Sequence, residues 1–220
     1  MVFGALGDIH GDFDSVRRIM ERHREVPFWL CIGDVATPDG RYEPLPAPLH
    51  WIKGNNENFD AIAVGDLPEG LHCLPNGRLL ELGGLRIAGL GGTLAPTVYH
   101  LAAADLPHPR KSSVKATELA DRRRHFVREE VMACMRMTAL DIFLSHEAPR
   151  PFRVHRGIDA GKTPINEVLS AVKPRLHLFG HHHRFVELAV GGVRSVCLDL
   201  VSVSYLLIQR STLEYQQYPS

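Results

Sequence analysis

Apolar residues along the chain fall into short runs, and most runs stop at a glycine followed by a polar side chain. Val2 to Leu6 reads as a buried strand ending at Gly7. Asp14 can cap a helix running to about Arg24, with Val16, Ile19 and Met20 on its buried side. Pro27 to Ile32 and Leu49 to Lys53 read as two more strands, closed by Gly33-Asp34 and Gly54-Asn55. The Pro-rich stretch TPDGRYEPLPAP lies between them as a loop. Strand, helix, strand, loop, strand predicts parallel pairing, with polar residues presented beyond the strand ends.

The pattern changes after Leu71. Leu79 to Leu82 and Leu85 to Leu90 flank Gly83-Gly84, a hairpin signature. A polar segment opens at Gly91-Gly92 and extends from Thr93 to about Thr117, a length that suggests a lid or a mobile region. Glu118 to Ala139 reads as one helix. Asp141 to Leu144 predicts a strand ending at Ser145-His146, and Thr163-Pro164 starts a helix to about Val172. Leu176 to Phe179 is a strand ending at Gly180-His181. Arg184 to Val190, Arg194 to Leu198 and Ser202 to Ile208 follow as three short strands. The sum is a two-sheet α/β sandwich with outer helices, one domain over residues 1–210, and a polar C-terminal tail over 211–220.

The 220 residues suffice for one sizeable core. Lys plus Arg equals Asp plus Glu, at 25 each, so global charge indicates neither a nucleic-acid nor a membrane partner. The cysteines, Cys31, Cys73, Cys134 and Cys197, are far apart in sequence, and three lie in apolar segments. That predicts buried thiols in a reducing compartment, hence a cytoplasmic protein. The opening MVFGALGDIHGD lacks a basic leader region and reads as a core strand, and no apolar run is long enough to span a bilayer.

Candidate chemistry concentrates at the ends of the apolar runs. Asp8 and His10, Asp34, Asn55, His146, and His181 with His183 follow five of them. Carboxylate, amide and imidazole donors suit a pair of borderline divalent ions. Any one of them has an ordinary alternative: Asp after a strand caps helices, Asn55 suits a turn, and His fills cores. A purely structural metal site closes with four ligands, fewer than the seven candidates here. The two-residue spacing in Asp8-x-His10 and His181-x-His183 lets both side chains of each pair point to one spot. Asp34 is placed to bridge two ions. The expected division is Asp8, His10, Asp34 and His183 on one ion, and Asp34, Asn55, His146 and His181 on the other.

The ordered strings GDIHGD, CIGD, IKGNNE, IFLSHEAP and LFGHHH resemble the calcineurin-like metallophosphoesterase family over nearly the whole chain, from Asp8 to His183. LGGLRIAGLGGT and DIFLSHEAPR are also similar to its lariat-debranching subgroup. The resemblance implies a four-layer α/β/β/α sandwich of two mixed sheets flanked by helices. It implies the seven residues above as ligands of two divalent ions, manganese first, with iron, zinc, nickel or magnesium as alternatives. It also implies phosphoester hydrolysis by in-line attack of a metal-bound hydroxide.

The chain departs from the family at Asn56, where a histidine often follows the ligating Asn. Asn56 can hydrogen-bond a phosphoryl oxygen but cannot deliver a proton near neutral pH. A monoester with a poor alkoxide leaving group suffers most from that loss, so the expected activity is a phosphodiesterase, with a phosphomonoesterase as the alternative and a metal-dependent scaffold as the non-enzymatic one. His182, between two ligands, is expected to play a structural part. Glu57 and Asp12 are expected to support ligands or start helices.

Substrate charge could be met by Arg110, Lys111, Lys115, Arg122, Arg123, Arg124 and Arg128, or by Arg150, Arg153, His155 and Arg156. Arg150 is the first choice because it lies four residues past His146. Asp34, Asn56, His146 and Arg150 are therefore the expected catalytic residues, and Tyr99 with His100 a candidate lid. Aromatics make up 7% of the chain and do not interleave with basic residues. That favours a small phosphoester or nucleotide over a nucleic acid. The protein is expected to be a monomer or a homodimer.

Overall fold

The computed structural model describes residues 1–106 and 121–220. Within them the chain forms two six-stranded mixed sheets. The first contains β1 (Val2–Leu6), β2 (Trp29–Cys31), β3 (Leu49–Trp51), β4 (Leu71–Cys73), β11 (Ser204–Gln209) and β12 (Tyr215–Pro219), in the order β12-β11-β1-β2-β3-β4. The second contains β5 (Leu79–Leu82), β6 (Leu85–Leu90), β7 (Ile142–Ser145), β8 (Leu176–Phe179), β9 (Val186–Val190) and β10 (Val193–Cys197), in the order β5-β6-β7-β8-β10-β9. Strands β1 to β4 run parallel, as do β6, β7, β8 and β10.

Side-chain alternation explains the layers. In β1 and β2, Phe3, Ala5 and Leu30 face the second sheet, where they meet Ile87, Ile142, Leu144, Leu176 and Leu178. Their neighbours Leu6, Trp29 and Cys31 face outward onto Val16, Ile19 and Met20 of helix α1 (Phe13–Arg22). On the second sheet, Ala88, Leu90 and Phe143 face outward onto helices α3 (Arg128–Met135) and α4 (Thr163–Val172). A period of two on a strand puts successive residues on opposite faces, so strands buried on both faces read as nearly continuous apolar runs. The result is the expected four-layer α/β/β/α sandwich. Gly4 is required where Trp29 crosses β1, because a Cβ there would lie 1.9 Å from the indole ring.

Several boundaries differ from the sequence expectation. Asp12, not Asp14, caps α1, accepting from the Ser15 amide at 3.1 Å and the Ser15 hydroxyl at 2.7 Å. Strand β4 and the six-residue helix α2 (Phe59–Val64) are additional. The expected helix from Glu118 starts, within the described residues, only at Arg128. His125 instead pairs in a parallel bridge with Thr93, and Phe126 is drawn fully into the core. Residues 211–220 are not a tail. Leu213 is 2% exposed, and β12 pairs antiparallel with β11, Tyr218 stacking on Tyr205 at 5.6 Å. This edge strand buries one face only, which explains its polar composition.

Beneath the second sheet's outer face, His177 is fully buried between two hydroxyls, Ser145 Oγ at 2.8 Å from Nε2 and Ser195 Oγ at 3.0 Å from Nδ1. Burial pushes its pKa down to about 3. His177 is therefore neutral when folded but takes up a proton when unfolded below its ordinary value of 6.5.

Leu213→Ala should lower the unfolding free energy by about 2–5 kcal/mol in urea titration, since it empties a core site; a solvated tail would leave it unchanged. The unfolded state binds the extra proton at His177, so metal-free protein should lose stability as pH falls from 6.5 toward 3. The slope of unfolding free energy against pH in that window should be shallower in His177→Gln.

Candidate metal centre

Five parallel strands deliver the seven expected ligands to one edge of the sandwich. Asp8 and His10 follow β1, Asp34 follows β2, Asn55 follows β3, His146 follows β7, and His181 and His183 follow β8. All five strands point their carboxyl ends at the same cleft, the place where open parallel sheets present binding groups.

The donors gather in two groups, Asp8 with His10 and His183, and Asp34 with His146 and His181. In each group the donor atoms all lie within 4.8 Å of one another. Asp34 joins the groups: its Oδ2 is 3.7 Å from His10 Nε2 and 3.7 Å from His146 Nε2. His183 Nε2 sits 3.0 Å from Asp8 Oδ2 and 3.2 Å from His10 Nε2. Asn55 Oδ1 approaches His146 Nε2 at 3.1 Å.

Backbone geometry aims these side chains. His10, Asp34, His181 and His183 all occupy the left-handed region, with φ of 48°, 52°, 69° and 46°. Non-glycine residues there cost energy and persist only where the surroundings hold them. The hold is visible at Asp34, whose carbonyl accepts from both the Ile9 and the His10 amides. Asn56 donates through its backbone N–H to Asp34 Oδ1 at 2.8 Å and through Nδ2 to Oδ2 at 2.9 Å. Glu57 ties the same loops together, accepting from the amides of Val35, Ala36 and Gly54 and from the Tyr42 hydroxyl. Glycine is needed at 54, where a Cβ would come within 2.0 Å of Asp34 Oδ1.

The donor set fits a pair of divalent ions. The Ile32 carbonyl 2.9 Å from His146 Nδ1 can only accept, which puts the proton of the neutral ring on Nδ1. His146 Nε2 and Asn55 Oδ1 then lie 3.1 Å apart, close enough to serve as two donors to one cation. Burial disfavours the charged form of His146, yet Asp8 and Asp34 outweigh it and raise its pKa. The pocket's negative potential thus attracts positive charge even at full burial. Burial likewise pushes the Asp34 carboxyl up, but His146, the two Asn56 hydrogen bonds and His10 hold it below its usual range. Burial and then His146 lower His181 to about 4, so it offers a neutral ring for coordination.

A cavity of about 790 Å³ opens beside the centre, with His10, Asn55, Asn56, Phe59, Arg123 and Arg124 in its wall. The other substrate candidates lie elsewhere. Arg150 ion-pairs with Asp159 at 2.9 Å and is absent from this wall. Arg153, His155 and Arg156 belong to an exposed turn. Tyr99 packs edge-on against Phe126 instead of covering the cavity. Arg122 and Arg128 are exposed, and Arg110, Lys111, Lys115 and part of the expected lid lie outside the described residues. His182 packs onto Phe152, with ring centroids 4.7 Å apart, and meets the His181 ring edge-on at 5.2 Å.

Sequence reasoning missed Lys53. Its ammonium is buried and donates to the carbonyls of Arg123 at 2.8 Å and His125 at 3.1 Å, tying the end of β3 to the cavity wall. A lone lysine closing an apolar strand was the available signal.

The two-sheet sandwich thus presents, at its parallel strand ends, paired Asp/His clusters that could hold two metal ions. The calcineurin-like phosphoesterase family model matches residues 1–185, and the chain belongs to that family. Among curated relatives, the lariat debranching enzyme of Schizosaccharomyces pombe is 26% identical over 202 residues, spanning 80% of this chain and 42% of that enzyme. The chain thus covers under half the length of that relative. Among solved structures, TT1561 of Thermus thermophilus superposes with a TM-score of 0.64 at 14% identity, covering 99% of this chain and 98% of that one. GAP50, the anchor in the inner membrane complex of Plasmodium, superposes at 0.55 and 11% identity, covering 100% and 84%. At these identities the two structures show a shared fold. Among the described residues, no helix is long and apolar enough to cross a membrane.

Gly54→Ala should displace the Asp34 carboxylate and weaken divalent-metal binding by at least about tenfold, because Asp34 is the donor shared between the groups. Metal content after equilibrium dialysis checks this, and two tightly held ions in the variant would contradict it.

Proposed function

We propose that this protein is a dinuclear-metal-dependent phosphodiesterase. The single observation carrying this reading is Asp34, whose Oδ2 stands 3.7 Å from one histidine of each donor group. In this reading Asp8, His10, Asp34 and His183 hold one ion, and Asp34, Asn55, His146 and His181 hold the other. Manganese is the metal we favour, since the mixed carboxylate, amide and imidazole set suits borderline divalent ions. Such a pair supplies Lewis acidity to phosphoryl oxygens and acidifies an attacking water.

The chain's own residues set the geometry. The Ile32 carbonyl fixes the His146 tautomer, and Asn56 clamps both oxygens of Asp34. Asn56 is thereby committed to the bridging carboxylate and has no titratable proton to pass to a departing oxygen. That supports a substrate whose leaving group departs without strong acid assistance, which favours a diester. The likeness to the lariat debranching enzyme points the same way. We favour a small phosphoester or nucleotide over a polymer, a monomer or homodimer, and a cytoplasmic setting in keeping with four free cysteines. A phosphomonoesterase is the second reading, supported by the same two donor groups.

Metal-stripped protein reloaded with Mn²⁺ should hydrolyse bis-p-nitrophenyl phosphate faster than p-nitrophenyl phosphate, and a chelator should abolish both activities. Asn56→His should raise the monoester rate relative to the diester rate by about 10²-fold or more, the usual contribution of a positioned general acid. A monoester preference in the wild-type protein would overturn the diester assignment.

A further inference from the structure

Arg123 and Arg124 both line the cavity beside the centre, but their situations differ. Arg123 is engaged by carboxylates. Its Nε donates to both Asp121 oxygens at 3.0 Å, its Nη2 reaches Asp121 at 2.5 Å and Asp60 at 2.8 Å, and its guanidinium lies 5.9 Å from the centroid of the Phe59 ring. Arg124 has no ion-pair partner among the described residues.

The backbone around Arg124 is clamped on both sides. Its own carbonyl accepts from the Thr93 amide at 2.9 Å. The carbonyls immediately before and after it, of Arg123 and His125, accept from the buried ammonium of Lys53. Lys53 directly precedes Gly54-Asn55, so the loop presenting Arg124 is tied to the strand end presenting a candidate metal ligand. Gly92 permits this approach, since a Cβ there would lie 2.6 Å from the Arg124 carbonyl oxygen. An arginine whose backbone is anchored this firmly, which lines the cavity and has no ion-pair partner among the described residues, is suited to receive negative charge.

The rest of the wall narrows the ligand. Phe59 is 8% exposed, so it offers no open face for a stacked base. Thr37, Asp39 and Asn58 contribute polar groups instead. The wall therefore suits a polar, hydrogen-bonding arm better than an aromatic one.

We propose that Arg124 is the specificity-determining anchor for the phosphoryl anion of the substrate, holding it between the cavity and the paired donor groups while a polar, sugar-like arm occupies the cavity. This deepens the phosphodiesterase reading and rests on it for the identity of the reaction, though not for the binding of phosphate. The guanidinium contacts an anionic phosphoryl oxygen without exchanging a proton, so its contribution is to binding and orientation.

The test compares wild-type protein, Arg124→Ala and Arg124→Lys, each reloaded with Mn²⁺ and assayed for bound metal. Titration calorimetry with inorganic phosphate should show about tenfold or greater weakening in Arg124→Ala, the scale of a lost charge-assisted hydrogen bond. With bis-p-nitrophenyl phosphate, KM should rise by a similar factor while kcat stays within about twofold, and Arg124→Lys should recover part of the loss. Unchanged phosphate affinity and KM in Arg124→Ala would overturn the proposal. So would loss of metal in that variant, or failure of the metal-loaded wild-type protein to bind phosphate. If the wild-type protein binds phosphate through Arg124 but cleaves neither ester, the hydrolase reading fails while the assignment of Arg124 stands.

Discussion

Two carboxylates buried at the mouth of a β-sandwich set the terms for everything around them. Asp8 and Asp34 are each 1% exposed, and an ionised carboxylate removed from water is costly unless cations and donors surround it. The chain answers with imidazoles from both sheets, two amide hydrogens from Asn56, and the His181 amide on Asp8. The remaining negative potential is what raises the His146 pKa against its burial. Divalent cations would complete that balance, and the phosphoesterase reading follows from the balance more than from any one ligand.

The sandwich makes the arrangement possible because its two sheets each contain a parallel block whose carboxyl ends meet at one cleft. Neither sheet could assemble the centre alone: Asp8, His10, Asp34 and Asn55 come from the first, and His146, His181 and His183 from the second. The inter-sheet core of Phe3, Leu30, Ile87, Ile142, Leu144 and Leu178 therefore also sets the distance between donor groups. A change in that core would be felt at Asp34 through geometry even where it leaves every ligand in place.

Much of this was legible in the sequence, for a physical reason. Strands buried on both faces announce themselves as apolar runs, and polar residues placed directly after them carry the topology with them; β1, β7 and β8 and the meeting of the seven candidate ligands at one cleft were legible this way, and α4 from its Thr163-Pro164 start. What escaped depends on contacts between segments far apart in the chain. The edge strand β12 looks like a polar tail because only Tyr215, Tyr218 and their neighbours on one face find partners. Phe126 was read into a helix, but it is extended because Thr93, far away in sequence, pairs with its neighbour His125. Arg150 was preferred for its nearness to His146 in sequence, although Asp159 engages it. Asn56 was read as a free donor, but two of its hydrogens already belong to Asp34.

The left-handed backbone at His10, Asp34, His181 and His183 has an evolutionary side. Asparagine, aspartate and glycine are the residues most at ease in that conformation. A lineage that abandoned chemistry could exchange these four positions for such residues without disturbing the loops, whereas bulky or β-branched replacements would be purged for folding before function was considered. Relatives that lost the metals would thus keep the cradle nearly intact. Its loops would then be free to serve as a recognition surface, inherited from an enzyme and shaped by the electrostatics of an anion they no longer cleave.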